Sequence, residues 1–119
     1  GGAPVPAVDW TTRCYAVDAS NESVPLEKLG CRLHPAMDRS LRKAGFHMLF
    51  PIQAAVIPLL TRSAQTVYDL DSPYCCDVCV AAPTGQGKTL AYAVPLVQAL
   101  LHRLAPQPRA LILLPTRDL

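Results

Sequence analysis

The sequence predicts an α/β fold, with parallel sheet strands and flanking helices. Three observations predict it. Val78-Cys79-Val80-Ala81 and Ala110-Leu111-Ile112-Leu113-Leu114 are short, unbroken apolar runs, the pattern of strands buried on both faces. A segment of helical character, Lys88 to Leu104, lies between them. A glycine-rich turn ending at Gly87 joins the first run to that segment. Strand, helix and strand in this order make a βαβ unit, so the two strands should run parallel through a right-handed crossover.

The elements follow in chain order. Residues 1–24 contain Pro, Ser and Asn with little periodicity and are expected to be an extended flank, with Trp10 and Tyr15 as surface anchors. Residues 25–119 should form the folded part. His34-Pro35-Ala36-Met37 opens a helix, since proline suits a first helical turn. Met37, Leu41 and Ala44 make its apolar stripe, and Gly45 fits its stop. A second helix should start near Pro51, with Pro58 inside it or ending it. Thr61 to Asp77 has the polar character of a loop, longer than most connections. In the third helix Val94, Val97, Leu101 and Leu104 are expected to face inward, Pro95 to bend it, and Pro106 and Pro108 to end it.

Composition narrows the class. The 119 residues and 12.8 kDa suit one small domain with a modest core. Half the residues are hydrophobic and 17% are charged, which argues against a disordered polyelectrolyte. A formal charge of +2 does not by itself imply nucleic acid. No apolar run approaches the roughly 20 residues of a membrane helix. The first residues lack the features of a signal peptide, so neither a membrane nor secretion is expected, nor is an oligomer. Five cysteines, an odd count, suggest reduced thiols. Cys76 and Cys79 have one half of a zinc spacing without a second pair, and the alternative is Cys79 as a small hydrophobe in its strand.

Ala82-Pro83-Thr84-Gly85-Gln86-Gly87-Lys88-Thr89 resembles the Walker A loop, with Ala82 at its first glycine. An apolar run precedes it and a helix follows, as that loop requires. Successive backbone N–H groups at a helix N-terminus can hold phosphate oxygens. Lys88 would place a charge between β- and γ-phosphates, and Thr89 would offer its hydroxyl to Mg²⁺.

Gly45-Phe46-His47-Met48-Leu49-Phe50-Pro51-Ile52-Gln53 could read the base. A glutamine amide is both donor and acceptor, matching adenine N6 and N7 but not the two acceptors of guanine. Phe46 could stack on it. On this segment alone the plainer reading is favoured, with Phe46 and Phe50 as core residues and Gln53 as an exposed helix residue.

Together these segments resemble the DEAD-box RNA helicases. Residues 45–53 are similar to the Q motif, Ala82 to Thr89 to motif I, and Pro115-Thr116-Arg117-Asp118-Leu119 to motif Ia, in the family's order. The resemblance covers Leu26 to Leu119. It implies the N-terminal part of a RecA-like ATP-binding domain, with ATP and Mg²⁺ as cofactors and RNA as partner. It implies that Gln53 contacts adenine, that Phe46 stacks on it, and that residues 82–89 hold phosphates and Mg²⁺. Pro115, Thr116 and Arg117 would line the RNA path, a role their chemistry suits. Without the resemblance, Arg117 would be a solvated loop cation.

Three departures stand out. Leu49 replaces a motif proline, Leu26 or Leu29 takes the place of the upstream aromatic, and Asp118 replaces glutamate. The Gln53–Lys88 spacing exceeds a minimal member's by about a dozen residues. That insertion, with residues 50–58 and 97–101, resembles a subgroup acting in large ribosomal subunit assembly. It implies pre-ribosomal RNA, ribosome-assembly proteins and a nuclear, nucleolar location.

No Asp-Glu-Ala-Asp occurs in these residues. The expectation is a truncated helicase domain, inactive and aggregation-prone alone, within an RNA-stimulated ATPase. The second reading is a catalytically incomplete module that binds a nucleotide or a pre-ribosome. An acidic Asp-Glu-x-Asp after a following strand would favour the enzyme.

Overall fold

A computed structural model describes residues 15–18, 20, 22–66, 77–102 and 106–117. Three α-helices carry the fold: α1 (Pro35–Lys43), α2 (Pro51–Gln65) and α3 (Lys88–Leu100). A short 3-10 turn, Leu26–Lys28, precedes α1. The sheet among the described residues is one antiparallel pair, β1 (Val24–Pro25) with β2 (Met48–Leu49), in which Val24 faces Leu49.

Helix α1 starts and stops where its sequence says. Pro35 occupies the first turn, and His34 caps it by accepting the Ala36 N–H on Nδ1 at 3.1 Å. The end is a Schellman turn: the Phe46 N–H donates to the Leu41 carbonyl at 2.9 Å, and the Gly45 N–H to the Arg42 carbonyl at 3.0 Å. That turn requires the left-handed backbone of Gly45, φ 90°. Met37 and Leu41 are buried as expected, but Ala44, at the cap, is exposed. Arg42 pairs with Asp38 at 2.9 Å and with Glu27 at 3.7 Å, tying α1 to the 3-10 turn. Both pairs are solvent-exposed and add little stability.

Helix α2 corrects one expectation. Residues 61–65, expected in a loop, continue the helix through Pro58 to Gln65. Proline lacks the N–H that would bond the Ala54 carbonyl. Packing offsets that loss, because Ile57 and Thr61 share one buried face, four residues apart, and α2 packs along α3. Of the rest of the expected loop, residues 67–76 lie outside the described residues and Asp77 is exposed.

Helix α3 corrects another. Ala91, Val94 and Pro95 are its buried residues, whereas Val97 and Leu101 are exposed. The helix passes through Pro95 and ends at Leu100, and Leu104 lies outside the described residues. Apolar residues surround this helix, so periodicity could not select the inward face.

The core is small. Leu26, Met37, Leu41, Leu49, Ile57 and Val94 form one cluster, with Leu29, Cys31, Leu33 and Leu90 against it. Leu26 and Leu29, placed by the resemblance where an aromatic often stands, are thus core residues. The segment before α1 is tied down from both long helices. Gln98 of α3 accepts the His34 N–H at 2.9 Å and donates to the Arg32 carbonyl at 3.3 Å. Arg62 of α2 donates to the Gly30 carbonyl at 3.2 Å. Burial pushes the Cys31 thiol up, against the opposing pull of the Thr61 hydroxyl and the Arg62 charge.

The expected parallel strands are absent from the described residues. Residues 78–81 and 110–114 are irregular and belong to no ladder. Leu111 and Leu113 are each 82% exposed, and Cys79 is exposed rather than packed. A run of apolar residues specifies a surface that prefers burial; a strand also needs a neighbour to take its N–H and C=O groups. Tyr15, expected to anchor the flank, is exposed as well, and Trp10 lies outside the described residues. Among the described residues, no helix is long and apolar enough to cross a membrane.

Candidate nucleotide site

The turn between residue 82 and α3 is built around backbone rather than side chains. Residues 84–85 form a turn, and Gly87 stands at the N-cap of α3 with φ 69°. The cap has no side-chain hydrogen bond and the first helical turn carries no acidic residue. The first N–H groups of α3 therefore point out of the helix without an intrahelical acceptor, at the positive end of its dipole. Lys88, the first helical residue, folds back so that Nζ donates to the Ala82 carbonyl at 2.6 Å. That bond closes the loop on itself and holds the ammonium over its mouth. Lys88, Thr84 and Thr89 are exposed, whereas Ala82, Gln86 and Gly87 are half-buried.

Gln53 is brought to this loop and is 4% exposed. Its Oε1 accepts the Phe50 N–H at 2.8 Å, and its Nε2 donates to the Gly87 carbonyl at 3.1 Å. Those partners fix the amide's orientation, because a backbone N–H only donates and a carbonyl only accepts. A glutamine at the third helical position, reaching back to the cap residue's N–H, is half of a capping box. The reach to Gly87 is tertiary. A Cβ at Gly87 would run into the Gln53 amide nitrogen, so the left-handed backbone and the close approach both select glycine. One N–H and one oxygen lone pair of the amide remain beyond these two bonds.

The two phenylalanines are not core residues. Phe46 ends the Schellman turn and Phe50 caps α2, and both are exposed. The Phe50 ring lies against the loop: its Cδ2 is 3.4 Å from the position a Gly87 Cβ would take. Phe50 had no role assigned from sequence. The signal for it was the cap-to-Gln53 spacing, which locks residue 50 to the loop-facing end of α2. Beside this junction lies a largely apolar hollow, lined by Pro51 and Ile52, by Ala81, Ala82, Pro83 and Gln86, and by Val17 of the flank.

The other expected site is open. Pro115, Thr116 and Arg117 lie in an exposed turn after the unpaired apolar run. Asp118, Leu119 and Cys76 lie outside the described residues.

Comparison with known proteins sharpens this picture. The DEAD/DEAH box helicase model matches residues 50–119, from the cap of α2 onward. The chain is 43% identical over 110 residues to the ATP-dependent RNA helicase DDX51 of Mus musculus, covering 89% of this chain and 17% of that protein. It is 44% identical over 112 residues to the ATP-dependent RNA helicase dbp6 of Schizosaccharomyces pombe, covering 92% and 17%. It is 42% identical over 106 residues to the DEAD-box ATP-dependent RNA helicase 1 of Arabidopsis thaliana, covering 87% and 18%. The chain thus spans about one sixth of the length of these curated relatives, 17% of the first. No solved structure matches it.

Proposed function

The chain belongs to the DEAD/DEAH box helicase family, and on that footing we propose that it is the ATP-binding start of an ATP-dependent RNA helicase. Its domain is the N-terminal part of a RecA-like lobe, residues 25–119, behind the flank 1–24. The observation that carries the reading is the hydrogen bond from Gln53 to the Gly87 carbonyl. It sets a donor–acceptor amide beside a glycine loop at a helix N-terminus, the two chemistries an adenine nucleotide needs.

The residues fit Mg²⁺-ATP. The loop offers outward N–H groups and an ammonium, with no carboxylate in the first turn of α3. Residues Ala82 to Gly87 would wrap the phosphates. Lys88 would exchange the Ala82 carbonyl for phosphate oxygens, a stronger, charge-assisted partner. The exposed Thr89 hydroxyl would face the metal ion. Gln53 would use its remaining N–H and lone pair on adenine N7 and N6, and Phe46 would stack on the ring. Bound Mg²⁺-ATP supplies the phosphoanhydride bond whose hydrolysis drives such helicases.

Pro115, Thr116 and Arg117 would meet RNA phosphates, for which an exposed Arg fork and a hydroxyl are suited. The insertion before Lys88, with residues 50–58 and 97–101, supports a helicase of ribosome assembly, acting on pre-ribosomal RNA in the nucleolus.

Two substitutions test the site in the intact protein. Gln53→Ala should weaken ATP about tenfold and GTP much less, read by fluorescent nucleotide binding. Equal affinity of the unaltered protein for both nucleotides would remove the adenine assignment. Lys88→Ala should lower RNA-stimulated ATP turnover by more than about 100-fold, because the developing phosphate charge loses its cation. Undiminished turnover would refute the role of Lys88.

A further inference from the structure

We propose that Phe50 is a second aromatic wall of the base pocket, stacking on the nucleobase beside Gln53. The inference rests on the adenine-nucleotide reading and adds a residue that reading does not use.

Position 50 caps α2, where Ser, Thr, Asp or Asn stabilise a helix by about 1 kcal/mol through a side-chain oxygen. Phenylalanine has no such oxygen, and the cap carries no side-chain hydrogen bond. The ring is also only partly buried, since the residue is 42% exposed. Packing leaves a large part of the ring in solvent, and capping does not account for an aromatic there.

Its surroundings do. The Phe50 N–H is held by Gln53 Oε1 at 2.8 Å, so the backbone that carries the ring is tied to the amide. The Phe50 ring and the Gln53 amide both border the space that a Gly87 Cβ would fill. The phosphate-binding helix begins one residue later, at Lys88. A nucleotide with its phosphates on the loop and its base at Gln53 must pass this ring. A partly exposed ring there gives the base an apolar partner at little entropic cost, because the backbone that carries it is already tied.

Stacking and hydrogen bonding have different signatures. An aromatic face is tolerant of base identity, whereas a glutamine amide is not. The experiment is calorimetric binding of ATP, GTP and inorganic tripolyphosphate to the intact protein, with Phe50→Ala, Phe50→Tyr and Gln53→Ala. Phe50→Ala should weaken ATP and GTP by the same factor, roughly tenfold, and leave tripolyphosphate unchanged. Phe50→Tyr should restore both nucleotides. Gln53→Ala should weaken ATP more than GTP. Unchanged nucleotide affinity in Phe50→Ala overturns the proposal. So does an equal loss for tripolyphosphate, which would put the ring's role in the loop rather than at the base. If the unaltered protein binds ATP and GTP alike, the adenine reading fails alone, and the Phe50→Ala factor still decides the wall.

Discussion

Gln53 is 4% exposed and reaches a carbonyl 34 residues away, whereas Leu111 and Leu113, in an unbroken apolar run, stand 82% exposed. The polar residue is inside and the apolar ones are outside. Hydropathy states a preference for burial, but burial needs a partner surface. At the start of α2 that surface is α3 and its preceding loop. Gln53 satisfies the two backbone groups it meets there, so its burial carries no unpaired amide atom. For residues 110–114 no ladder partner occurs among the described residues, and the run keeps its large side chains in water. An exposed apolar run with no partner strand is a template for association.

The largest expected effect would test this contrast directly. Ile57 is fully buried, so Ile57→Ala should cost about 3 kcal/mol of unfolding free energy in urea titrations. Leu113→Ala should stay within about 0.5 kcal/mol, since little surface is removed from contact. Comparable losses at the two positions would mean that the apolar run is packed in solution, and the contrast would break.

A smaller effect should separate two glycines of one loop. Gly85 and Gly87 both have a left-handed backbone, φ 87° and φ 69°. Around Gly85 a Cβ would meet open space, while at Gly87 it would strike the Gln53 amide. Gly85→Ala should cost about 1 kcal/mol, the conformational penalty alone. Gly87→Ala should cost about twice that, with faster hydrogen exchange in the first turn of α2. Equal costs would show that the Gln53–Gly87 contact is loose.

The smallest difference concerns two thiols. Cys31 is half-buried, and burial holds its thiol above the usual range; Cys79 is exposed in the unpaired segment. A raised pKa leaves less thiolate at neutral pH, and the thiolate is the reacting form. Alkylation followed by peptide mass spectrometry should find Cys31 about tenfold slower than Cys79. Similar rates would place residue 79 in a packed environment and join the two regions in character.

The sequence by itself determined the family motifs, the starts of the three helices and the end of α1. Pro35, Gly45, Pro51 and Gly87 act through their own backbone geometry, and an α-helix closes its hydrogen bonds within four residues. Only the tertiary structure decided that α2 runs on through Pro58, which side of α3 faces inward, that Gln53 is buried against Gly87, and that Phe50 lies against the loop. Each of these depends on a partner dozens of residues away. Residues 78–81 and 110–114 mark the same boundary from the other side. Their β-character is legible locally, but a strand exists only with a neighbour, and local pattern carries no information about where that neighbour is.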